Sequence, residues 1–423
     1  MFTMVKQTSA DKKSFNPVSI AIAYFVIMTS IDTNLNVFMP KIAWYIVQLG
    51  FYFFVILSLR RIKKRFTIYH FGAGLVFLIV YFLSFFTSSL LSVHYSAMLF
   101  FVRWGIPLFL LGVSVDDFGD LLAKLRFASL ISLLLTILGI FVLKTNSSVT
   151  QAYSQDTGYQ TLIPFAVFGA DFLLLKKKSA IILMIASFAI VIMSGARGPL
   201  LAFLICFALE LFFGSKNKIR MLICFGAFAV IVLLLYSLFF DRAIELLIDA
   251  FEKRGLSLRI LERLKAGTLG TDSGRKALST FAFEYSKSHL FYGTGLINDR
   301  ILLFENLTVD TNKTVFGYYC HNIFLEIMMQ YGLILGVLMC LMFILLIFVQ
   351  FRINKTPESR SITIILLSAG LLPLLVSYSY ATYECFYLFF GFIFTQFFQS
   401  KRKAKHNNNA ALSKIANFSY SKS

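Results

Sequence analysis

Apolar runs of membrane-crossing length recur along this chain, separated by short polar connections and, late in the sequence, by one long polar interval. The runs cover residues 18–37, 41–59, 69–90, 95–113, 127–143, 159–175, 179–193, 199–213 and 221–240, then 323–351, 361–380 and 383–399. A helix rises about 1.5 Å per residue, so about 20 apolar residues cross a bilayer core, and fewer suffice where the membrane thins. The pattern predicts an all-α polytopic integral membrane protein of about twelve transmembrane helices. The two runs flanking Gly195 are short, which suits a tilted or re-entrant course.

The polar interval divides the chain. Residues 1–240 form a predicted bundle of about nine helices, 241–320 one large loop, 321–400 about three further helices, and 401–423 a basic tail expected to be disordered. Within the loop, Ile244, Leu247, Ile248 and Phe251 repeat at helical spacing opposite Arg242, Glu245, Asp249 and Glu252, the pattern of an amphipathic helix on a membrane surface. A second loop helix is expected after Asp272 and Ser273, either of which suits a cap, with Leu278, Phe281, Ala282 and Tyr285 as its apolar face. The loop then reads as a helical lid on the bundle.

Composition makes the bilayer the solvent: 58% of residues are hydrophobic, 17% aromatic, and the mean hydropathy is +0.76. The polar start leads into apolar runs that recur to residue 399, so the first span is expected to stay in the protein. A formal net charge of +19 would point to nucleic acid in a soluble domain. Here the cations cluster in alternate connections, such as Arg60 to Arg65, Lys176 to Lys178 and Arg352 to Arg360, as the positive-inside rule requires. These segments and both termini are expected to be cytoplasmic, which places 241–320 on the extracytoplasmic side. The five cysteines form no CxxC pair and indicate neither a metal site nor a disulfide framework; a Cys320–Cys385 pair is the one exception the topology permits.

Three residues carry the candidate chemistry. Arg275 opens the second loop helix, where a cation opposes the helix dipole unless an anion joins it; a guanidinium and free backbone N–H groups together suit phosphate or pyrophosphate. Arg197 sits in the turn Ser194-Gly195-Ala196-Arg197-Gly198-Pro199, whose glycines allow close backbone approach to a ligand. His321 closes the long loop, with Asn322 placed to cap the next helix and Glu326 one turn on; an imidazole can take a hydroxyl proton near neutral pH. A solvated loop arginine, an interfacial cation and a structural boundary histidine are the competing readings. Gly293 and Gly295 could bring backbone N–H groups to a phosphate or simply make a turn. Arg103 falls mid-span, where a charge calls for a cavity, a lipid phosphate or a structural partner such as Glu210 or Asp171. Walker, Rossmann and metal-ligand motifs are lacking, so no cofactor is expected.

The Ser-Gly-Ala-Arg-Gly turn, Ser273-Gly274-Arg275, Tyr292-Gly293-Thr294-Gly295, and His321-Asn322 leading to Gln330-Tyr331-Gly332-Leu333 together resemble the O-antigen ligase and polymerase superfamily, over roughly residues 180–350. The resemblance implies a GT-C-like membrane glycosyltransferase that works without metal on undecaprenyl-pyrophosphate-linked oligosaccharide at the outer face of the bacterial cytoplasmic membrane. It also implies that Arg197 and Arg275 hold the donor pyrophosphate and that His321 assists the acceptor hydroxyl; beside these, Arg103, Gly293, Gly295 and Asn322 are candidates for substrate contact on their own positions in the chain. Ala196 and Pro199 in the turn, and Lys276 and Ala277 after the loop arginine, depart from the family pattern.

The preferred expectation is a polymerase joining repeat units into a capsular or exopolysaccharide chain, in company with a flippase and a chain-length regulator. A ligase moving the finished glycan to another acceptor shares the donor chemistry. A lipid-oligosaccharide flippase would need cavity charges such as Arg103 but no catalytic loop.

Overall fold

The computed structural model describes residues 15–35, 38–141, 155–194, 196–215, 248–249, 275–307 and 314–400. The predicted span at 221–240, nearly all of the first loop helix, Gly195, the Asp272–Ser273 cap and the basic tail lie outside them. Among the described residues all regular structure is helical, with no strand. The helices are α1 (Pro17–Leu35), α2 (Lys41–Arg65), α3 (Ile68–Phe86), α4 (Leu91–Phe100), α5 (Ile106–Val113), α6 (Phe118–Phe141), α7 (Gln155–Leu173), α8 (Ala180–Met193) and α9 (Arg197–Gly214). After the loop come α10 (Arg275–Ser288), α11 (Asn298–Asn306), α12 (Ile323–Tyr331), α13 (Leu333–Ile353), α14 (Pro357–Gly370) and α15, residues 384–400. Among the described residues eight stretches are long and apolar enough to cross a membrane, the joined α4–α5 being one of them.

At the centre stands α7, buried from Thr157 to Asp171, with α14, buried from Ser361 to Gly370. Helices α1, α6, α8, α9 and α14 all pack on α7. A polar seam fixes the rotation of three of them: Ser30 Oγ lies 2.5 Å from Ser132 Oγ, and the Gln160 amide donates to Ser30 Oγ at 2.7 Å and Thr29 Oγ1 at 2.9 Å. Such bonds matter within a bilayer because no water competes for the donors. By contrast α2, α3 and α13 present Ile46, Phe53, Phe82, Leu338 and Phe348 to the exterior, which is favourable only where the exterior is lipid.

Several basic residues at or near the connections are paired with carboxylates. Arg126 holds the buried Asp171 at 2.7 Å, Lys177 approaches the same carboxylate at 3.5 Å, and Arg61 and Arg65 both reach Asp116. All four cysteines among the described residues, Cys320 and Cys385 included, are free thiols.

Helix α15 meets α5 at a crossing made by two glycines. A side chain on Gly112 would overlap the Leu388 carbonyl, and one on Gly391 would overlap the Phe109 carbonyl, so each backbone lies against the other. Gly112→Val is therefore expected to overpack the contact by about 1–3 kcal/mol. A thermal melt in detergent checks this: the variant should unfold several degrees below wild type, and an unchanged melt would mean that the two helices are not so closely apposed.

The loop segment forms a small second core on one end of the bundle. Leu278 and Ala282 of α10 pack with Leu303, Tyr318, Cys320 and Met329, while Phe281 and Tyr285 lie at its edge. The apolar face expected for this helix is thus turned onto α11 and α12.

Two predicted spans are interrupted. The run 323–351 breaks at Gly332, whose φ of +84° glycine adopts without cost; α12 caps on Asn322 and ends there, and α13 crosses separately. The run 361–380 is helical only to Gly370, followed by a 3₁₀ turn over Leu372–Leu375 and irregular chain to a second 3₁₀ turn over Tyr380–Thr382. Pro373 has no N–H to continue the ladder. The backbone groups this break releases organise the candidate site.

Candidate functional site

Three consecutive carbonyls of the strap between α14 and α15 receive the residues that the sequence singles out. Asn322 Nδ2 donates to the Leu375 oxygen at 3.3 Å, Arg275 Nη1 to the Val376 oxygen at 2.7 Å, and His321 Nδ1 to the Ser377 oxygen at 2.7 Å. Ser377 also accepts a hydrogen bond from the Tyr159 hydroxyl at 2.7 Å. Gly198 lies against that pair, where any side chain would collide with the Tyr159 hydroxyl and Ser377 Oγ, and this draws the start of α9, and Arg197 with it, up to the strap. Arg275 and His321, 46 residues apart in the chain, therefore meet at residues 376–377, and Gly198, next to Arg197, packs against the same Ser377.

The local geometry constrains the histidine most closely. A carbonyl oxygen can only accept, so its bond to His321 assigns the proton to Nδ1 and the lone pair of the neutral ring to Nε2. His321 adopts φ +55°, a left-handed conformation that costs a non-glycine residue about 1–3 kcal/mol and that concentrates at functional sites. Its ring lies 4.3 Å from that of Tyr319. Asn322 does two tasks: Oδ1 accepts from the Phe324 and Leu325 N–H groups at 3.0 and 3.2 Å, capping α12, while its amide holds the strap. Both arginines stand in the first turn of a helix, α9 and α10, the end at which the helix dipole favours an anion.

Tyrosines line the same strap. Tyr378 stacks on Tyr383 at 4.8 Å, packs against Tyr159 at 5.1 Å, and donates its hydroxyl to Asp156 in the first turn of α7. Burial first, and then the Asp156 charge, push its phenol well above the usual range, so Tyr378 remains a donor.

The other candidates lie apart. Gly293 and Gly295 form a turn wedged between α12 and α3: the Thr294 and Gly295 N–H groups donate to the Met329 and Gln330 carbonyls at 3.0 and 2.9 Å, and the Leu296 N–H to Ser84 Oγ at 2.8 Å. Those N–H groups are spent on the fold. Arg103 occupies a π-helical turn, Phe101–Gly105, between α4 and α5. It donates to Gln48, stands 5.2 Å over Trp104 and is coupled to the charge of Asp32. Neither suggested carboxylate is its partner, because Asp171 is taken by Arg126 and Lys177, and Glu210 is buried against Cys206. His94 and His70 hold Asn298 and Thr395, each at 2.8 Å.

Sequence reading missed Ser377, Tyr159, Asp156 and Tyr378. A signal was present: Ser377-Tyr378-Ser379-Tyr380, four residues after a proline, is too polar for the end of a lipid-facing span.

The helical bundle, its lipid-facing apolar surface and its loop layer define a multi-pass membrane protein with a polar site where a broken helix meets the loop. Residues 182–340 match the family model Wzy_C, O-antigen ligase, and over that stretch the chain is similar to the O-antigen ligase and polymerase superfamily, whose members are glycosyltransferase-like enzymes. The matched stretch contains Arg197, Arg275 and His321; the strap lies beyond it. No curated protein matches the chain.

Proposed function

We propose that this protein is a metal-independent polysaccharide polymerase that joins undecaprenyl-pyrophosphate-linked repeat units at the extracytoplasmic face of the bacterial cytoplasmic membrane. The observation that carries the reading is the convergence of a helix-opening arginine and a histidine with an assigned tautomer on one strap, with the start of the helix that Arg197 opens packed against the same serine. His321 Nε2 takes the proton of the acceptor hydroxyl, and the oxygen attacks the anomeric carbon. The bond from that carbon to the phosphate oxygen breaks, and its electron pair leaves on the pyrophosphate. Arg275 and Arg197 meet the growing negative charge there, doing by guanidinium what other transferases do by metal. Asp156 and the tyrosines of the strap suit sugar hydroxyls and ring faces.

A ligase would use the same donor chemistry with a different acceptor. The chain's richness in Lys, Ile, Phe and Asn favours a host without lipopolysaccharide, and so the polymerase. The decisive experiment places purified protein in lipid vesicles with the host's lipid-linked repeat unit, with and without EDTA, and separates the glycan on a gel. A ladder that persists in EDTA is expected. A single transfer to an added acceptor would make the protein a ligase, and movement of the lipid-linked sugar between leaflets without transfer would make it a flippase.

A further inference from the structure

Behind the strap lies a buried charge cluster that touches none of the reacting groups. Arg300 of α11 is 1% exposed. Its Nη2 donates to Ser379 Oγ at 2.8 Å and Thr382 Oγ1 at 3.2 Å, its Nη1 to the Phe316 carbonyl, and its plane stands 4.5 and 5.3 Å over the rings of Phe316 and Tyr319. Glu326 of α12, fully buried, accepts the Ser379 hydroxyl on Oε1, while its Oε2 has no partner among the described residues. Next to them Asp299 Oδ1 accepts from Gln330 at 2.8 Å, and Gln330 accepts from the Tyr380 hydroxyl. Every polar side chain of the strap from Ser379 to Thr382 is thus gripped from the loop side.

We infer that Arg300 and Glu326 form a clamp that sets the register of the strap, and are thereby positioning residues for His321 and Arg275 in the proposed transfer. Only one residue separates Ser379, which both clamp residues hold, from Ser377, whose carbonyl orients His321. Arg300 also supports the ring of Tyr319, which packs on His321. Apolar residues would join α11 to the strap with less desolvation, but a planar fork on two hydroxyls fixes where along the strap the contact falls. Burial first, then the charge of Asp299, raises the Glu326 carboxyl, and burial likewise raises that of Asp299. One guanidinium therefore need not balance two carboxylates, and glutamine is a faithful replacement for Glu326.

The inference rests on the transferase reading, so its test includes a readout that does not. Arg300→Lys, Ser379→Ala, Glu326→Leu and Glu326→Gln would be compared with Gly112→Ala, a destabilising change at the distant α5–α15 crossing. Two quantities would be measured in the folded full-length proteins: kcat and KM for the lipid-linked donor, and the rate at which diethyl pyrocarbonate modifies His321, followed by peptide mass spectrometry. Arg300→Lys, Ser379→Ala and Glu326→Leu are expected to lose kcat at least tenfold with KM within about twofold, and to change the His321 modification rate severalfold. Glu326→Gln should recover most of what Glu326→Leu loses. If the three variants track Gly112→Ala in both quantities, the clamp is overturned and the cluster is ordinary packing. If wild type transfers no sugar but the His321 rate still responds, the clamp stands and the transferase reading fails.

Discussion

Replacing Arg275 with alanine is expected to slow transfer from the lipid-linked donor by about 10²–10³-fold, the usual cost of removing one fixed donor from a developing anion. The side chain is half-buried at the start of α10, and only one of its five N–H groups is accounted for by the strap, in the 2.7 Å bond to the Val376 carbonyl. The guanidinium is thereby held by one edge against the strap, close to His321. Lysine keeps the charge but lacks the planar fork, so Arg275→Lys should remain well below wild type. Lys276 next to it is exposed, and Lys276→Ala should change little. Single-turnover rates and melting curves check the assignment together. A drop in melting temperature large enough to account for the lost activity would reduce Arg275 to a tether for the strap.

His321 is expected to matter at least as much, by about 10²–10⁴-fold, since a positioned base contributes on that scale. The informative substitution is His321→Asn. Asparagine tolerates the left-handed backbone that His321 adopts, and its amide can replace the Nδ1–H donated to the Ser377 carbonyl. It has no nitrogen able to accept a proton. If His321 is the base, the asparagine and alanine variants should both lose activity while the asparagine variant melts like wild type. An asparagine variant that turns over normally would show that the ring only holds the strap, and the proton would have to pass to another group, for which Asp156, which accepts from Tyr378 of the strap, is a candidate.

Position within the strap explains why these two substitutions should be so damaging although neither residue is deeply buried. The chain from Leu375 to Thr382 offers carbonyls on its first half and side chains on its second, and both halves are fully engaged. Groups held in this way need little reorganisation as charge develops, which is the main source of electrostatic rate enhancement.

The sequence by itself determined that the chain is helical and lives in a membrane, because apolar runs of that length have no other stable solution in lipid. It also marked Arg197, Arg275 and His321, since glycine-flanked arginines at helix starts and a histidine beside a capping asparagine are local patterns, readable within a few residues. Tertiary structure alone decided where the helices break and what the breaks do. The run at 361–380 has the hydropathy of a span, and nothing local says that the carbonyls freed after Gly370 will be met by Asn322, Arg275 and His321. Arg300 and Glu326 look in sequence like a loop charge and a helix-face carboxylate; only the fold brings them to the same serine. Gly293 and Gly295, which resemble a phosphate turn, are committed to α12 and α3 instead. The physical reason is common to all of these cases. Periodicity reports which environment a segment can enter, whereas the pairing of buried polar groups depends on partners dozens to hundreds of residues away, which no local pattern encodes.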